Sequence, residues 1–283
     1  TDRTNPNLIG GVRGSDLESI GHTYYNGTAW VASSDTHFLA GACWVEVQEI
    51  SGTLFAAVCS RKDGAITIYD VTDPDLIALV DIDEHTNGGT TTDYHEIAGA
   101  VANVIEYCTG DSKWYVYVGT RWQNAQTNPT AGPDVNGRTG WSCEWGTGNR
   151  QGSVVIYEIS AVGTLTYKGE IHGKASPNYL SEVHGIRYHK DSGDYSHEWV
   201  FVACFGDNCG TIINVSNKTA PTFVRTFGSS GSPGFTGKAI EPHILEDDNG
   251  DAKYCFIAAW GDGGFTIWDI ENADTTAPTR VGG

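Results

Sequence analysis

The sequence predicts an all-β protein: a β-propeller of four four-stranded blades, with an additional N-terminal strand and a long loop insertion in blade 2. Three observations support this fold. A β-branched signature recurs four times, a polar turn and a short strand follow each copy, and no segment shows sustained helical amphipathicity. The four copies occupy residues 68–71, 156–159, 212–215 and 267–270. Four-stranded repeats without helices are typical of propeller blades.

The spacing of the signatures predicts the blade boundaries. We expect an N-terminal strand and lead-in loop over 1–35 and a propeller domain over 36–283. The expected blades are 36–83, 94–171, 183–227 and 242–283. The second blade is too long for the repeat, and its excess falls between Trp122 and Arg150, which predicts the loop insertion.

One outer strand is surplus to four blades. Residues 5–12 have the same Pro-then-apolar form as residues 277–283, and a single strand is enough to complete the last blade. A surplus strand that adds to a neighbouring copy, head to tail, would build a homo-oligomer or filament. The alternative is that it pairs within its own molecule.

The composition excludes several partners. Lysine and arginine number 17 against 35 acidic residues, which gives a formal net charge of −18. That charge argues against nucleic acid and anionic membrane surfaces as partners. No run of 18 apolar residues occurs, so we expect no membrane span. Trp260 and other tryptophans near loops make a glycan a further candidate ligand.

Cysteines, sequons and the absence of methionine indicate an extracellular, secreted protein. The expected register of the first hairpin places Cys43 opposite Cys59, and Cys204 and Cys209 flank another tight turn, so each pair is a disulfide candidate. The alternative is that most of these cysteines are buried thiols. The sequons at Asn26 and Asn217 are candidate glycosylation sites.

A second periodic feature places an acid and a histidine before the first strand of each blade. The four triplets are Asp35-Thr36-His37, Asp93-Tyr94-His95, Glu182-Val183-His184 and Glu241-Pro242-His243, at steps of 58, 89 and 59 residues. Residues i and i+2 of a strand point to one face, so each acid should lie beside its histidine. Four imidazoles converging on the propeller axis would bind a divalent metal ion (Zn, Fe, Cu or Ca), with the carboxylates orienting the rings. The alternative is that the four pairs are structural hydrogen bonds repeated in every blade.

The signature Ile68-Tyr69-Asp70-Val71 followed by Thr72-Asp73-Pro74, together with the blade-opening histidines, resembles the LVIVD-repeat propellers, including the extracellular choice-of-anchor B type. The resemblance covers about residues 36–283 and implies the propeller fold, without a catalytic assignment.

Two functions from different classes follow. The first is a secreted structural or binding propeller with the axial His/carboxylate cluster. The second is a metal-dependent extracellular enzyme, an oxidoreductase or a polysaccharide lyase, in which Tyr94 or Arg187 assists the four histidines. Few basic residues lie near the triplets in the sequence, which weakens the lyase version because a polyanionic substrate needs a basic mouth.

Overall fold

The described part of the chain consists of β-strands and the turns between them. The computed structural model describes residues 11–13, 23–25, 30–32, 39, 41–61, 64–84, 97, 99–121, 152–173, 179–191, 198–228, 238–261 and 263–283. Within these residues the chain forms nineteen strands, and none of it is helical. The described residues accordingly include no helix long and apolar enough to cross a lipid bilayer.

Sixteen of the strands form four antiparallel meanders, which are the four blades. Three short N-terminal strands precede them: β1 (Gly11–Arg13), β2 (Thr23–Tyr25) and β3 (Trp30–Ala32). Blade 1 contains β4 (Ala42–Ile50), β5 (Thr53–Ser60), β6 (Ala65–Asp70) and β7 (Ala78–Glu84). Blade 2 contains β8 (Ala100–Cys108), β9 (Lys113–Thr120), β10 (Gly152–Ile159) and β11 (Leu165–Gly173). Blade 3 contains β12 (Val183–Lys190), β13 (Glu198–Cys204), β14 (Cys209–Asn214) and β15 (Thr222–Phe227). Blade 4 contains β16 (Ala239–Glu246), β17 (Ala252–Ala259), β18 (Gly264–Asp269) and β19 (Thr279–Gly282).

The four-bladed fold that the sequence predicts is confirmed. Each β-branched signature ends the third strand of a blade, where it pairs with the second strand on one side and the outer strand on the other. β-branched and aromatic side chains suit this position because it is buried on both faces of the sheet. The third strands β6, β10 and β14 are accordingly buried along almost their whole length.

The described end of the predicted N-terminal strand has a partner in the same chain. Of residues 5–12, only 11 and 12 are described, and they belong to β1, which pairs with β2 of the same chain in a separate three-stranded sheet. The long loop predicted between Trp122 and Arg150 lies outside the described residues. It would connect the second and third strands of blade 2, since β9 ends at Thr120 and β10 begins at Gly152.

The hydrophobic core lies between consecutive blades. One cluster, including Phe55 and Val116, joins blades 1 and 2, and another, including Tyr117 and Val200, joins blades 2 and 3. A third, including Phe201, joins blades 3 and 4. Within the described residues no such cluster joins blade 4 to blade 1. The inner strands β4, β8, β12 and β16 pack against one another in this order and line the axis.

Candidate functional site

The same backbone feature opens the inner strand of every blade. One residue with a left-handed φ precedes the strand: Gly41 (φ 68°), Gly99 (φ 67°), Glu182 (φ 52°) and Lys238 (φ 63°). A bulge follows within two residues in all four strands. These four residues are therefore structurally equivalent, and they lie at one end of the propeller axis.

A second set of equivalent residues follows the second strand of each blade. Its backbone N–H donates to the carbonyl oxygen of the left-handed residue, at 3.1, 3.1, 2.9 and 3.1 Å in blades 1 to 4. The four residues are Arg61, Arg121, Phe205 and Trp260. Because the hydrogen bond is the same in each blade, these side chains start from equivalent positions around the same end of the axis. We call that end the mouth.

The side chains at the mouth form a basic and aromatic cluster. The rings of Phe205 and Trp260 lie 6.1 Å apart at 49°, and the ring of His184 stacks on Phe205 at 5.7 Å and 26°. The Lys238 ammonium lies 5.3 Å from the Phe205 ring and 5.4 Å from the Trp260 ring. The guanidinium of Arg121 lies 5.7 Å from the Phe205 ring. The mouth cluster is the set Arg61, Arg121, His184, Phe205, Lys238 and Trp260.

Arg121 carries a buried charge. Its side chain is 7% exposed, and its Nε–H has no hydrogen-bond partner. Burial and the neighbouring Arg61 lower the pKa of Arg121, while Glu182 and Cys43 act in the opposite direction. No carboxylate of the described residues forms an ion pair with it. An unsatisfied buried guanidinium is a costly arrangement, so it marks this part of the mouth as unusual.

Burial and positive charge keep His184 neutral. Burial first, then Arg121 and Arg61, lowers its pKa to about 4. A neutral ring can stack on Phe205 without the desolvation cost of an imidazolium. The same two arginines would repel a metal cation at this ring, so the electrostatics on this side of the mouth favour an anion.

The expected side-by-side arrangement of Glu182 and His184 is wrong. Glu182 lies in the turn before β12, where its φ of 52° breaks the extended geometry, and His184 is the bulged residue between Val183 and Gly185. The alternation of side chains along a strand therefore does not apply to this pair. Glu241 and His243 both lie within the regular part of β16, beyond its first bulge, so alternation places them on one face of the strand, where Glu241 is paired with Arg187.

The histidine triplets and the structural repeat have different periods. The left-handed residues are 58, 83 and 56 residues apart, against 58, 89 and 59 for the histidines. His184 follows its left-handed residue by two positions and His243 by five, so these two are not equivalent. Among the described residues no three His, Cys, Asp or Glu side chains are grouped so as to hold a metal ion. His37, His95, Asp35 and Asp93 lie outside the described residues.

A group of charged residues lies further along the inner strands. Arg187 Nη2 lies 2.5 Å from Glu241 Oε1, and its guanidinium lies 5.5 Å from the Trp44 ring. Burial raises the pKa of Glu241 to about 7 against the lowering effect of Arg187. Burial, reinforced by Glu46, also raises the pKa of Glu106 to about 7. The axial carboxylates Glu106 and Glu241 are therefore partly protonated near neutral pH, and burial also raises the pKa of Glu46.

The turn that carries Phe205 connects the entrances of two blades. Gly206 N–H donates to Ser181 O at 3.0 Å, and Asp207 Oδ2 accepts from Ser181 N–H at 2.8 Å. Asn208 Oδ1 accepts from Lys238 N–H at 2.8 Å. These bonds fix Phe205 and the backbone of Lys238 relative to each other, so two members of the mouth cluster are held by one turn.

The four candidate disulfide cysteines are thiols in the structure. The register predicted for Cys43 is wrong, because the bulge makes Trp44 the partner of Cys59 and leaves Cys43 as the extra residue. Cys43 Sγ lies 3.6 Å from Cys59 O and 3.5 Å from Ala100 O.

Cys204 and Cys209 are directly opposite each other on β13 and β14, as their spacing predicts. Of the two candidate glycosylation sites, Asn217 is exposed on a turn, where its Oδ1 accepts from Thr219, and Asn26 lies outside the described residues.

The sequence reasoning missed the basic character of the mouth. Arg61 and Arg121 lie more than 20 residues from the nearest histidine triplet in sequence, and Lys238 lies three residues before Glu241, yet the fold brings all three to the mouth. A signal was available, since the residue directly after the second strand of each blade recurs with the blade repeat. Arg61 and Arg121 occupy that position in blades 1 and 2.

Comparison with known proteins shows the fold and no family. No protein family matches the sequence, and no curated protein matches it. A solved protein from Lactobacillus plantarum has a TM-score of 0.52 at 12% identity, over 97% of this chain and 67% of that chain. A thermostable family-43 glycoside hydrolase has a TM-score of 0.49 at 11% identity, over 96% and 88%. The periplasmic gluconolactonase of Pseudomonas aeruginosa has 0.47 at 12%, over 95% and 66%. At 12% identity the likeness to the Lactobacillus plantarum protein extends to the fold alone, and the TM-scores of the other two are below 0.5.

Proposed function

We propose that this chain is a secreted carbohydrate-binding propeller whose binding site is the mouth cluster. The observation that carries the proposal is the exposed ring of Trp260, 62% accessible, beside the Phe205 ring at the end of the axis. A large aromatic ring left in solvent loses stabilisation unless a ligand covers it. The apolar faces of sugar rings stack on such side chains, and the charged groups around them supply hydrogen-bond donors for hydroxyls.

The supports for the proposal are the position and rigidity of the site. The mouth lies at the meeting point of four blades, and hydrogen bonds of the turn 205–208 fix Phe205 and the backbone of Lys238. Groups held in this way need little ordering when a ligand binds. The resemblance to extracellular LVIVD propellers and the exposed sequon at Asn217 agree with a secreted protein.

The test is to replace Trp260 with alanine and to measure the binding of galactose and galacturonate trimers by isothermal titration. We expect the variant to bind about tenfold more weakly or worse, because the ring supplies the stacking surface. The matched control is Tyr107→Ala, which removes an exposed aromatic ring at the far end of β8. Equal affinity in the Trp260 variant, or no binding by the wild type, would contradict the proposal.

A second candidate function is cleavage of the bound saccharide. The observation that favours it is the pair Glu106 and Glu241, whose pKa values of about 7 suit proton donation near neutral pH. The test is the release of reducing ends from either trimer by the wild type and by Glu241→Gln. Release by the wild type alone would support cleavage, and its absence would contradict it.

Metal binding by His37, His95, His184 and His243 stays a proposal with a direct test. Elemental analysis of the purified protein, before and after dialysis against a chelator, should find one divalent ion per chain if the histidines bind it. A His243→Ala variant with the same metal content would contradict a role for the exposed ring of His243.

A further inference from the structure

We infer that the saccharide bound at the mouth is acidic, and that Arg121 and Arg61 bind its carboxylate. This inference rests on the proposed function, because it names the class of ligand for the same site. It is carried by a different set of groups: the aromatic rings indicate a sugar face, whereas the two guanidinium groups indicate an anion.

The first step is the state of Arg121. Its side chain is buried, its charge is next to that of Arg61, and its Nε–H has no acceptor. Burying a charge without a partner is strongly unfavourable, and the penalty is removed when an oxyanion enters. A carboxylate can accept two parallel N–H bonds from one guanidinium, which compensates its buried charge.

The second step is the balance of charge at the mouth. Arg61, Arg121 and Lys238 are cationic, whereas the acidic residues at the same end of the axis are Glu182, which acts on Arg121, and Asp207, which accepts a hydrogen bond from Ser181. Burial raises the pKa of the Cys43 thiol, which keeps it neutral, and His184 is neutral because its pKa is about 4. The described residues of the mouth therefore have an excess of positive charge in a chain whose formal net charge is −18. A local field of that sign, set in an acidic protein, selects an anion at this point.

The third step is the distance between the charge and the rings. The Arg121 guanidinium is 5.7 Å from the Phe205 ring, and Phe205 is 6.1 Å from Trp260. A saccharide that covers Trp260 and extends across Phe205 can therefore place a carboxylate towards Arg121. A carboxylate on the sugar itself fits this arrangement better than a free inorganic anion, which would leave the exposed Trp260 ring uncovered.

The experiment compares three forms of one ligand by isothermal titration with the wild-type protein: the galacturonate trimer, its methyl ester and the galactose trimer. We expect the acid to bind about tenfold or more tightly than the ester, because only the acid offers charge-assisted hydrogen bonds. The ester keeps the shape and removes the charge. This comparison needs no variant, so a folding defect cannot obscure it.

Variants then locate the contact. Arg121→Lys should weaken binding of the acid by about tenfold and leave the affinity for the ester unchanged, because lysine keeps the charge and lacks the planar fork of the guanidinium. Arg61→Lys should have the same pattern to a smaller extent. The control is Arg280→Lys, an exposed residue of the outer strand β19.

The outcomes separate the two proposals. Equal affinities for acid, ester and neutral trimer, with sensitivity to Trp260→Ala, would overturn the acidic class and leave carbohydrate binding intact. Binding of none of the three would overturn both. A sulfated galactose trimer that binds as tightly as the acid would replace carboxylate by sulfate ester as the recognised group.

Discussion

At the scale of single residues, the protein holds several ionisable groups away from their ordinary protonation behaviour by burying them. His184 is made hard to protonate and Glu106 and Glu241 are made hard to ionise, in both cases chiefly because burial disfavours the charged form. The histidine and the glutamates therefore give opposite dependences of stability on pH. The stability contributed by neutral His184 is present above pH about 6.5 and is lost as the pH falls through about 4.

The glutamates have the reverse dependence. The folded-state pKa of Glu106, about 7, is above the ordinary 4.5, so the folded protein holds this proton more tightly than the unfolded chain. Its contribution is fully present below pH 4.5 and is lost as the pH rises through about 7. We expect Glu106→Gln to be more stable than the wild type at pH 8 by about 1 to 2 kcal/mol, and nearly equal to it at pH 4.5. Urea unfolding at both pH values measures this, with the exposed Glu49→Gln as control. A difference that does not change with pH would contradict the buried-carboxylate explanation.

The pairing of Cys204 with Cys209 gives a second residue-scale prediction. Both thiols are buried and lie near Thr211 Oγ1, at 3.6 and 3.8 Å. In an oxidising compartment we expect them to exchange with a donor disulfide during folding, which transfers two electrons and two protons to the donor. Protein expressed with export should then leave this pair unalkylated after denaturation without reductant.

Cys255 is the internal control for that experiment. It is also buried, and its strand partners are Ile244 and Trp268, so it has no cysteine opposite and should alkylate fully in the same sample. Full alkylation of Cys204 and Cys209 alongside it would show that the pair stays reduced.

At the scale of strands, the sequence predicts the third strands well and the entrances to the inner strands poorly. The β-branched signatures locate all four third strands. Burial on both faces requires that composition in β6, β10 and β14, whereas β18 of the last blade is partly exposed. The bulges that open β4, β8, β12 and β16 have no comparable sequence pattern, because they depend on the register with the second strand. The bulge in β12 changes the relation between Glu182 and His184, and the bulge in β4 displaces Cys43 from Cys59. For this reason the mouth could not be assembled from spacing alone.

Glycines at the start of third strands test how closely the blades pack. A Cβ at Gly152 would overlap the carbonyl oxygen of Leu180, at the entrance to blade 3, and would lie 2.6 Å from Thr120 O. Backbone atoms cannot move aside cheaply, so we expect Gly152→Ala to reduce the free energy of unfolding by about 1 to 3 kcal/mol. Gly264 begins the third strand of blade 4 with nothing within 4 Å of its added Cβ, so Gly264→Ala should change stability by less than about 0.5 kcal/mol. Similar melting temperatures for both variants would contradict close packing of blade 2 on blade 3.

At the scale of the whole molecule, the charge at the mouth has the opposite sign to the net charge of the chain. The chain is acidic overall, with 35 acidic residues, yet three cations meet at the mouth. Composition alone predicted poor binding of anionic ligands, because the net charge averages over the whole surface and does not report a local excess of positive charge. The blade repeat brings Arg61 and Arg121 to one end of the axis from positions 60 residues apart. That convergence is a property of the fold and cannot be read from net charge.

Assembly is also a whole-molecule property. Strand addition between copies requires a free strand, but β1 pairs with β2 of its own chain. Residues 5–10 lie outside the described residues, so head-to-tail assembly through residues 5–12 stays a prediction from the sequence. Sedimentation velocity over a range of concentrations tests it: assembly gives species larger than the monomer of 30.4 kDa, and their loss on deletion of residues 1–10 would assign them to this segment. A single monomer boundary at every concentration would contradict it.

The most direct test of the proposed binding site is a crystal structure of the protein grown with the galacturonate trimer. We expect one sugar ring to cover Trp260 and a carboxylate of the trimer to accept hydrogen bonds from the Arg121 guanidinium at about 2.7 to 2.9 Å. A trimer bound elsewhere on the propeller, with Trp260 and Arg121 both uncovered, would contradict the mouth cluster as the binding site.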